Sequence, residues 1–137
     1  MNQKLHPRVG VGAFLLNEQG ELLLVRRKKA PEQAHWSLPG GKVEWMETAE
    51  DTVVREIQEE VGLEIELTSL LCVTNHILPE EEAHWVYPTY IAKVTNGIAE
   101  NLEQHAISEV GWFSLDSLPE PLTLTLQNAL KEYEKLK

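Results

Sequence analysis

Glu56, Glu59 and Glu60 fall within five consecutive positions, with Arg55 alongside and Glu44 and Glu47 shortly before them. Like charges spaced i, i+4 on a helix cost a few tenths of a kcal/mol, roughly, and only Arg55 stands close enough in sequence to offset them. A solvated helix face is the ordinary reading of such a cluster. Hard oxygen donors turned one way are also what Mg²⁺ or Mn²⁺ requires, with phosphate and water completing the octahedron. The cluster is therefore a candidate metal platform for phosphate chemistry.

The neighbouring residues define the element that would carry it. Thr48 can cap a helix, Asp51 sits at the reciprocal capping position, and Gly62 can supply a left-handed stop, so the spacing predicts a helix over Ala49 to Val61. Its expected apolar stripe is Ala49, Val53, Val54, Ile57 and Val61, with Glu56 and Glu60 beside it and Glu59 about a quarter-turn away. Ahead of it, Trp36-Ser37-Leu38 reads as a short strand stopped by Pro39-Gly40-Gly41, where the backbone can turn sharply or approach a ligand.

Alternation in Val9, Val11, Ala13 and Leu15 predicts a strand, paired as a hairpin with Glu21 to Arg27 across Asn17-Glu18-Gln19-Gly20. Beyond the helix, Ile65 to Ile77 and His84 to Val94 read as long strands joined by an acidic loop, followed by a short strand from Val110 to Leu115. Leu122, Leu126, Ala129, Leu130 and Tyr133 have the spacing of an amphipathic closing helix. The expected class is α+β, with a mixed sheet between helices. The length suits one domain, 1–137, without repeat or linker.

Asp and Glu number 22 against 12 Lys and Arg, for a net charge of −10, which argues against nucleic-acid binding. A phosphate ligand needs help from cations. MNQKLHPRV lacks the apolar core of a signal peptide, and no run approaches the ~20 apolar residues of a membrane span, so a soluble, cytoplasmic protein without a membrane partner is expected. The single cysteine, Cys72, cannot form an internal disulfide and reads as a core thiol.

The helix and its approach resemble the signature of the Nudix hydrolases: Gly, five residues, Glu, seven residues, then Arg-Glu-apolar-any-Glu-Glu-any-Gly-apolar. Gly41, Glu47, Arg55, Glu56, Ile57, Glu59, Glu60, Gly62 and Leu63 match without a gap. The similarity extends to Leu38-Pro39-Gly40-Gly41, Arg26-Arg27, Glu109-Val110-Gly111-Trp112-Phe113 and Leu118-Pro119, covering roughly residues 8 to 120. Many members have glycine where Met46 stands, so Trp45-Met46 departs from the pattern in the loop before the helix.

The resemblance implies an α/β/α sandwich and hydrolysis of a phosphoanhydride in a nucleoside diphosphate-linked substrate. It makes Glu56, Glu59, Glu60 and the carbonyl of Gly40 the metal ligands, for Mg²⁺ or Mn²⁺. Glu44 and Glu47 support ligands or water, and Arg55 orients carboxylates, with an Arg55–Glu59 helix pair as the competing reading. The base that takes a proton from water is Glu56 first, Glu109 second and Glu103 third. Arg26 or Arg27 is placed on phosphate, Gly41 in the substrate loop, and Trp36, Trp45 or Trp85 against a base. His76, His84 and His105 read as loop or pairing residues.

Arg8-Val9-Gly10-Val11-Gly12-Ala13-Phe14 is similar to the branch that cleaves nucleoside triphosphates to monophosphate and pyrophosphate. Pro79, sixteen positions after Leu63, points instead to ADP-ribose or a nucleotide sugar. A nucleotide-binding regulatory module is the non-enzymatic alternative, and a homodimer stays open.

Overall fold

A computed structural model describes residues 6–137. The first five residues of the leading segment, on which the reading of a missing leader partly rests, lie outside that range. The elements are β1 (Arg8–Leu15), β2 (Glu21–Arg27), β3 (Trp36–Ser37), β4 (Gly40–Lys42), α1 (Ala49–Val61), β5 (Glu64–Leu78), β6 (Ala83–Asn96), β7 (Ile107–Ser114) and α2 (Leu124–Glu134).

Helix α1 has the expected bounds because its ends are hydrogen-bonded locally. Thr48 accepts from the Asp51 N–H at 3.0 Å, and Gly62 closes the helix in the left-handed region, at φ 75°, donating to the Gln58 carbonyl. Val53, Ile57 and Val61 are fully buried, worth about 1.5–3 kcal/mol each. The stripe is shifted from the expected one. Val54 is 37% exposed, while Thr52 is sealed, its hydroxyl donating to the Thr48 carbonyl and to Glu47.

Two sheets lie between the helices. One has the order β4-β1-β6-β5, with β1 and β6 parallel and the other pairs antiparallel; the second, β3-β2-β7, is antiparallel. The predicted hairpin does not form as a ladder: β1 and β2 belong to different sheets, joined near the turn by a single bridge, Leu16–Leu22. Both strands are covered on both faces, and this explains the divergence. Val11, Ala13, Leu15, Leu23 and Val25 enter the core under α1, while Phe14, Leu22 and Leu24 enter the core under α2.

The remaining boundaries differ modestly. β7 begins at Ile107, three residues before the expected start, and α2 begins after its cap Thr123, with Leu122 bridging to Trp36 instead. Cys72 is only partly buried, at the edge of the α2 core rather than within it. Among the described residues, no helix is long and apolar enough to cross a membrane.

Candidate active site

Arg55 is the hub of the carboxylate array. Its guanidinium grips Glu47 through two nitrogens, at 2.8 and 2.9 Å, and a third contact reaches Glu56 at 2.8 Å and Glu59 at 3.0 Å. The i, i+4 pair with Glu59 therefore exists, but the bidentate partner is Glu47 from the loop. The Arg55 hydrogen bonds and the Thr52 hydroxyl pull Glu47 down to about 2, and Glu47 in turn pushes Arg55 above its ordinary range.

Glu60 is the buried member of the array, 8% exposed. Burial raises its pKa to about 8; the charges of Glu103 and Glu56 add to the rise, while the Gly40 N–H, donating at 3.0 Å, and Arg27 oppose it. Glu56 is also raised, first by burial and then by Glu59 and Glu103, against the pull of Arg55. Of the two glycines before the helix, Gly40 packs against the β1 backbone and Gly41 against Glu56. A Cβ on Gly40 would stand 1.9 Å from the Val11 carbonyl oxygen, and one on Gly41 would stand 2.2 Å from the Glu56 carboxyl.

Of the three candidate bases, the structure brings Glu103 to the array and holds Glu109 elsewhere. The Leu102 N–H donates to the Glu60 carbonyl at 3.0 Å, the Glu103 N–H is held by Asn101 Oδ1 at 3.1 Å, and the Glu103 carbonyl accepts from Ala106 and Ile107. Its backbone is thus pinned at the end of α1. Glu109, expected on a loop, lies inside β7 opposite Arg26 and pairs with it at 3.1 Å. It does not figure among the charges that shift Glu56 or Glu60.

Among the described residues no three His, Cys, Asp or Glu side chains converge closely enough to form a ready metal cage. The donor chemistry nevertheless fits a hard divalent cation. Glu56, Glu59 and Glu60 supply carboxylate oxygens alone, and the buried Glu60 has no cationic side chain within pairing distance among the described residues.

A cleft of about 300 Å³ runs from Gly40, Gly41 and Glu60 to Thr123 and Thr125 at the start of α2. Arg27 lines it; its Nε donates to the Pro31 carbonyl at 2.8 Å, and its terminal nitrogens have no partner among the described residues. Arg26 is occupied by the Ala34 carbonyl and Glu109. Lys29 and Lys42 add positive charge to the cleft wall. Trp85 also lines it, with the Arg8 guanidinium 5.7 Å from its ring centre. Trp36 does not: it is 7% exposed and packs edge-on against Phe113 in the α2 core. Trp45 is 91% exposed on a turn completed by Met46 at φ 71°.

Sequence reasoning passed over Tyr87 and took His76 only as a loop or pairing residue; both line the cleft. Tyr87 had a faint signal in the alternate glycines of β1, since a Cβ at Gly12 would lie 2.6 Å from its hydroxyl. His76 is 5% exposed and bonded to Glu32 at 2.7 Å, so the pairing role holds, but its place in the cleft had no local mark.

Comparison with known proteins agrees with this geometry. The NUDIX domain family matches residues 6–133. An ADP-ribose pyrophosphatase of Methanocaldococcus jannaschii is 35% identical over 133 residues, covering 97% of this chain and 76% of that protein. A mouse 8-oxo-dGDP phosphatase is 36% identical over 80% of this chain; the chain spans 33% of that longer relative. The crystal structure of a MutT NUDIX hydrolase from Burkholderia pseudomallei superposes with a TM-score of 0.88 at 46% identity, covering 93% of this chain and 98% of that one. With its signature residues gathered around Arg55 and its fold shared over nearly the whole length, the chain belongs to the Nudix hydrolase family.

Proposed function

We propose that the chain hydrolyses a phosphoanhydride bond in a nucleoside triphosphate, releasing monophosphate and pyrophosphate with a divalent cation present. The observation that carries this reading is one cleft wall shared by buried Glu60 and Arg27, a cationic side chain whose terminal nitrogens have no partner among the described residues. A carboxylate of the array and a phosphate-binding group then face the same space, as anhydride hydrolysis demands.

Arg27, Lys29 and Lys42 bind and orient the phosphates, and the Gly40-Gly41 backbone lines the same cleft. Glu56, Glu59, Glu60 and the Gly40 carbonyl would hold Mg²⁺ or Mn²⁺, which when bound neutralises phosphate charge and acidifies water. Glu56 accepts the proton of the attacking water at its carboxylate, which burial makes more basic than a solvated one. Glu103 is the second candidate for that role. Arg55, anchored on Glu47, orients Glu56 and Glu59.

ADP-ribose is the second reading, favoured by the 35% identity to the archaeal ADP-ribose pyrophosphatase. Hydrolysis of 8-oxo-dGTP, dGTP and ADP-ribose, followed chromatographically in Mg²⁺ and in EDTA, tests both. Monophosphate and pyrophosphate from a triphosphate are expected. Turnover of ADP-ribose alone would move the assignment to the second reading, and no turnover above the EDTA control for any compound would sink both.

A further inference from the structure

We propose that His76 selects the nucleoside end of the substrate, accepting a hydrogen bond from it through Nδ1. This rests on the cleft being the nucleotide site, and it assigns a specificity role to a residue outside the carboxylate array.

His76 lies on β5 in register with Trp85 of β6 and is 5% exposed. Its Nε2 is 2.7 Å from Glu32 Oε1, and the other Glu32 oxygen accepts from the Leu124 N–H at 2.8 Å, in the first turn of α2. Burial works against charge on Glu32, but the His76 contact and the Leu124 N–H outweigh it and lower its pKa. An ionised carboxylate can only accept, so Nε2 donates to it, and in the tautomer this contact fixes Nδ1 is an acceptor.

That nitrogen has no partner among the described residues. It is not sealed either: the only unpaired side-chain nitrogen or oxygen fully enclosed among them is Thr89 Oγ1. The space that His76 lines is the cleft, where Trp85, Tyr87 and Leu38 offer surface for a flat or apolar group. Glu32 keeps the ring from turning, because it is tied to α2 and stands in a strained backbone conformation, φ 57°, fixed by its loop.

A fixed acceptor at that wall favours a ligand with an N–H or O–H there. Guanine offers only acceptors, N7 and O6, along its major-groove edge. Oxidation at C8 places a proton on N7 and turns that atom into a donor. A ribose hydroxyl of ADP-ribose offers the same chemistry from another source. An acceptor left unpaired in a closed site discriminates by about ten- to hundredfold.

The test compares kcat/KM for 8-oxo-dGTP, dGTP and ADP-ribose between the wild type, His76→Phe and His76→Gln, with melting temperatures for each. The wild type is also titrated with 8-oxo-dGMP and ADP-ribose while the ¹⁵N resonances of His76 are followed. Removal of the acceptor in His76→Phe should lower kcat/KM about ten- to hundredfold, mainly through KM, for the substrate whose donor meets Nδ1, and leave dGTP, whose N7 and O6 edge only accepts, within about threefold. His76→Gln, which retains an acceptor oxygen, should recover part of the loss. A selective loss on 8-oxo-dGTP identifies the base N–H as the donor; a selective loss on ADP-ribose identifies the ribose hydroxyl. The Nδ1 resonance of the wild type should move with the same ligand, a readout that survives if His76→Phe does not fold.

Equal loss on all three substrates, no loss on any, or a silent Nδ1 during saturation overturns the assignment while the nucleotide reading stands. A wild type that neither turns over nor binds any of these compounds overturns both.

Discussion

Glu32 and Glu56 are nearly equally enclosed, with side chains 13% and 16% exposed, yet their surroundings drive them in opposite directions. At both sites burial disfavours the charge. For Glu32, His76 and the Leu124 N–H overcome it, and the pKa falls; for Glu56, Arg55 is shared with Glu47 and Glu59, Glu59 and Glu103 repel, and the pKa rises. A carboxylate with its partners complete serves as a structural tie. One that is crowded by like charges is ready to meet a proton or a cation.

The largest expected effect strikes the crowded end. Glu56→Gln should lower kcat by about 10²–10⁴-fold with little change in melting temperature, and activity in excess EDTA should vanish until Mg²⁺ is restored. Steady-state kinetics of Glu103→Gln beside Glu109→Gln separates the remaining candidates. Glu103→Gln should be the impaired one, and a crippled Glu109→Gln with an active Glu103→Gln would reverse the geometry argued for this end.

The arginine pair comes next. Arg27→Ala should raise KM about tenfold or more, whereas Arg26→Ala, losing a contact 3.1 Å long to the exposed Glu109, should change it by less than about threefold. Equal effects on KM would show that Arg27 does not grip phosphate alone.

Stability sharpens the contrast between the two carboxylates. Glu32→Gln should cost about 1–3 kcal/mol in denaturant unfolding, since it weakens two hydrogen bonds to a charged acceptor, while Glu56→Gln relieves repulsion and should cost nothing. Glu60 predicts a pH dependence of defined sign. Its folded pKa, about 8, lies above the ordinary 4.5, so the native state binds the extra proton between those values and stability falls as pH rises from 4.5 through 8. Thermal melts in EDTA should show that slope, and Glu60→Gln should flatten it. Glu47 acts oppositely, its contribution being lost as pH falls from 4.5 towards 2.

The smallest effect lies at the tip of the loop between β4 and α1. Met46, 86% exposed at φ 71°, touches no core, so Met46→Gly should stabilise by about 0.5–1 kcal/mol in the same unfolding experiment.

What the amino-acid order determined by itself was the pair of helix ends that close within a few residues. Thr48, Asp51 and Gly62 bound α1 because caps bond to their own helix, and the heptad-scale spacing of Val53, Ile57 and Val61 set its buried face. Glu60, read as lying beside the apolar stripe, falls between Ala49 and Val53 on the helical wheel and is buried within it. Tertiary structure decided what depends on distant strands. Arg26 and Arg27 are indistinguishable in order, and only the β2–β7 register gives one of them to Glu109 and the other to the cleft. Glu103 is held locally by the Asn101 turn but reaches α1 only through the Leu102–Glu60 backbone bond, between residues far apart in the chain. The separation of β1 from β2 followed from two cores, one under each helix, competing for alternate side chains of the same strands. His76 and Glu32 meet across 44 positions, and no local period marks such a pair: a hydrogen bond of that reach is chosen by packing, after both strands and the loop have found their places.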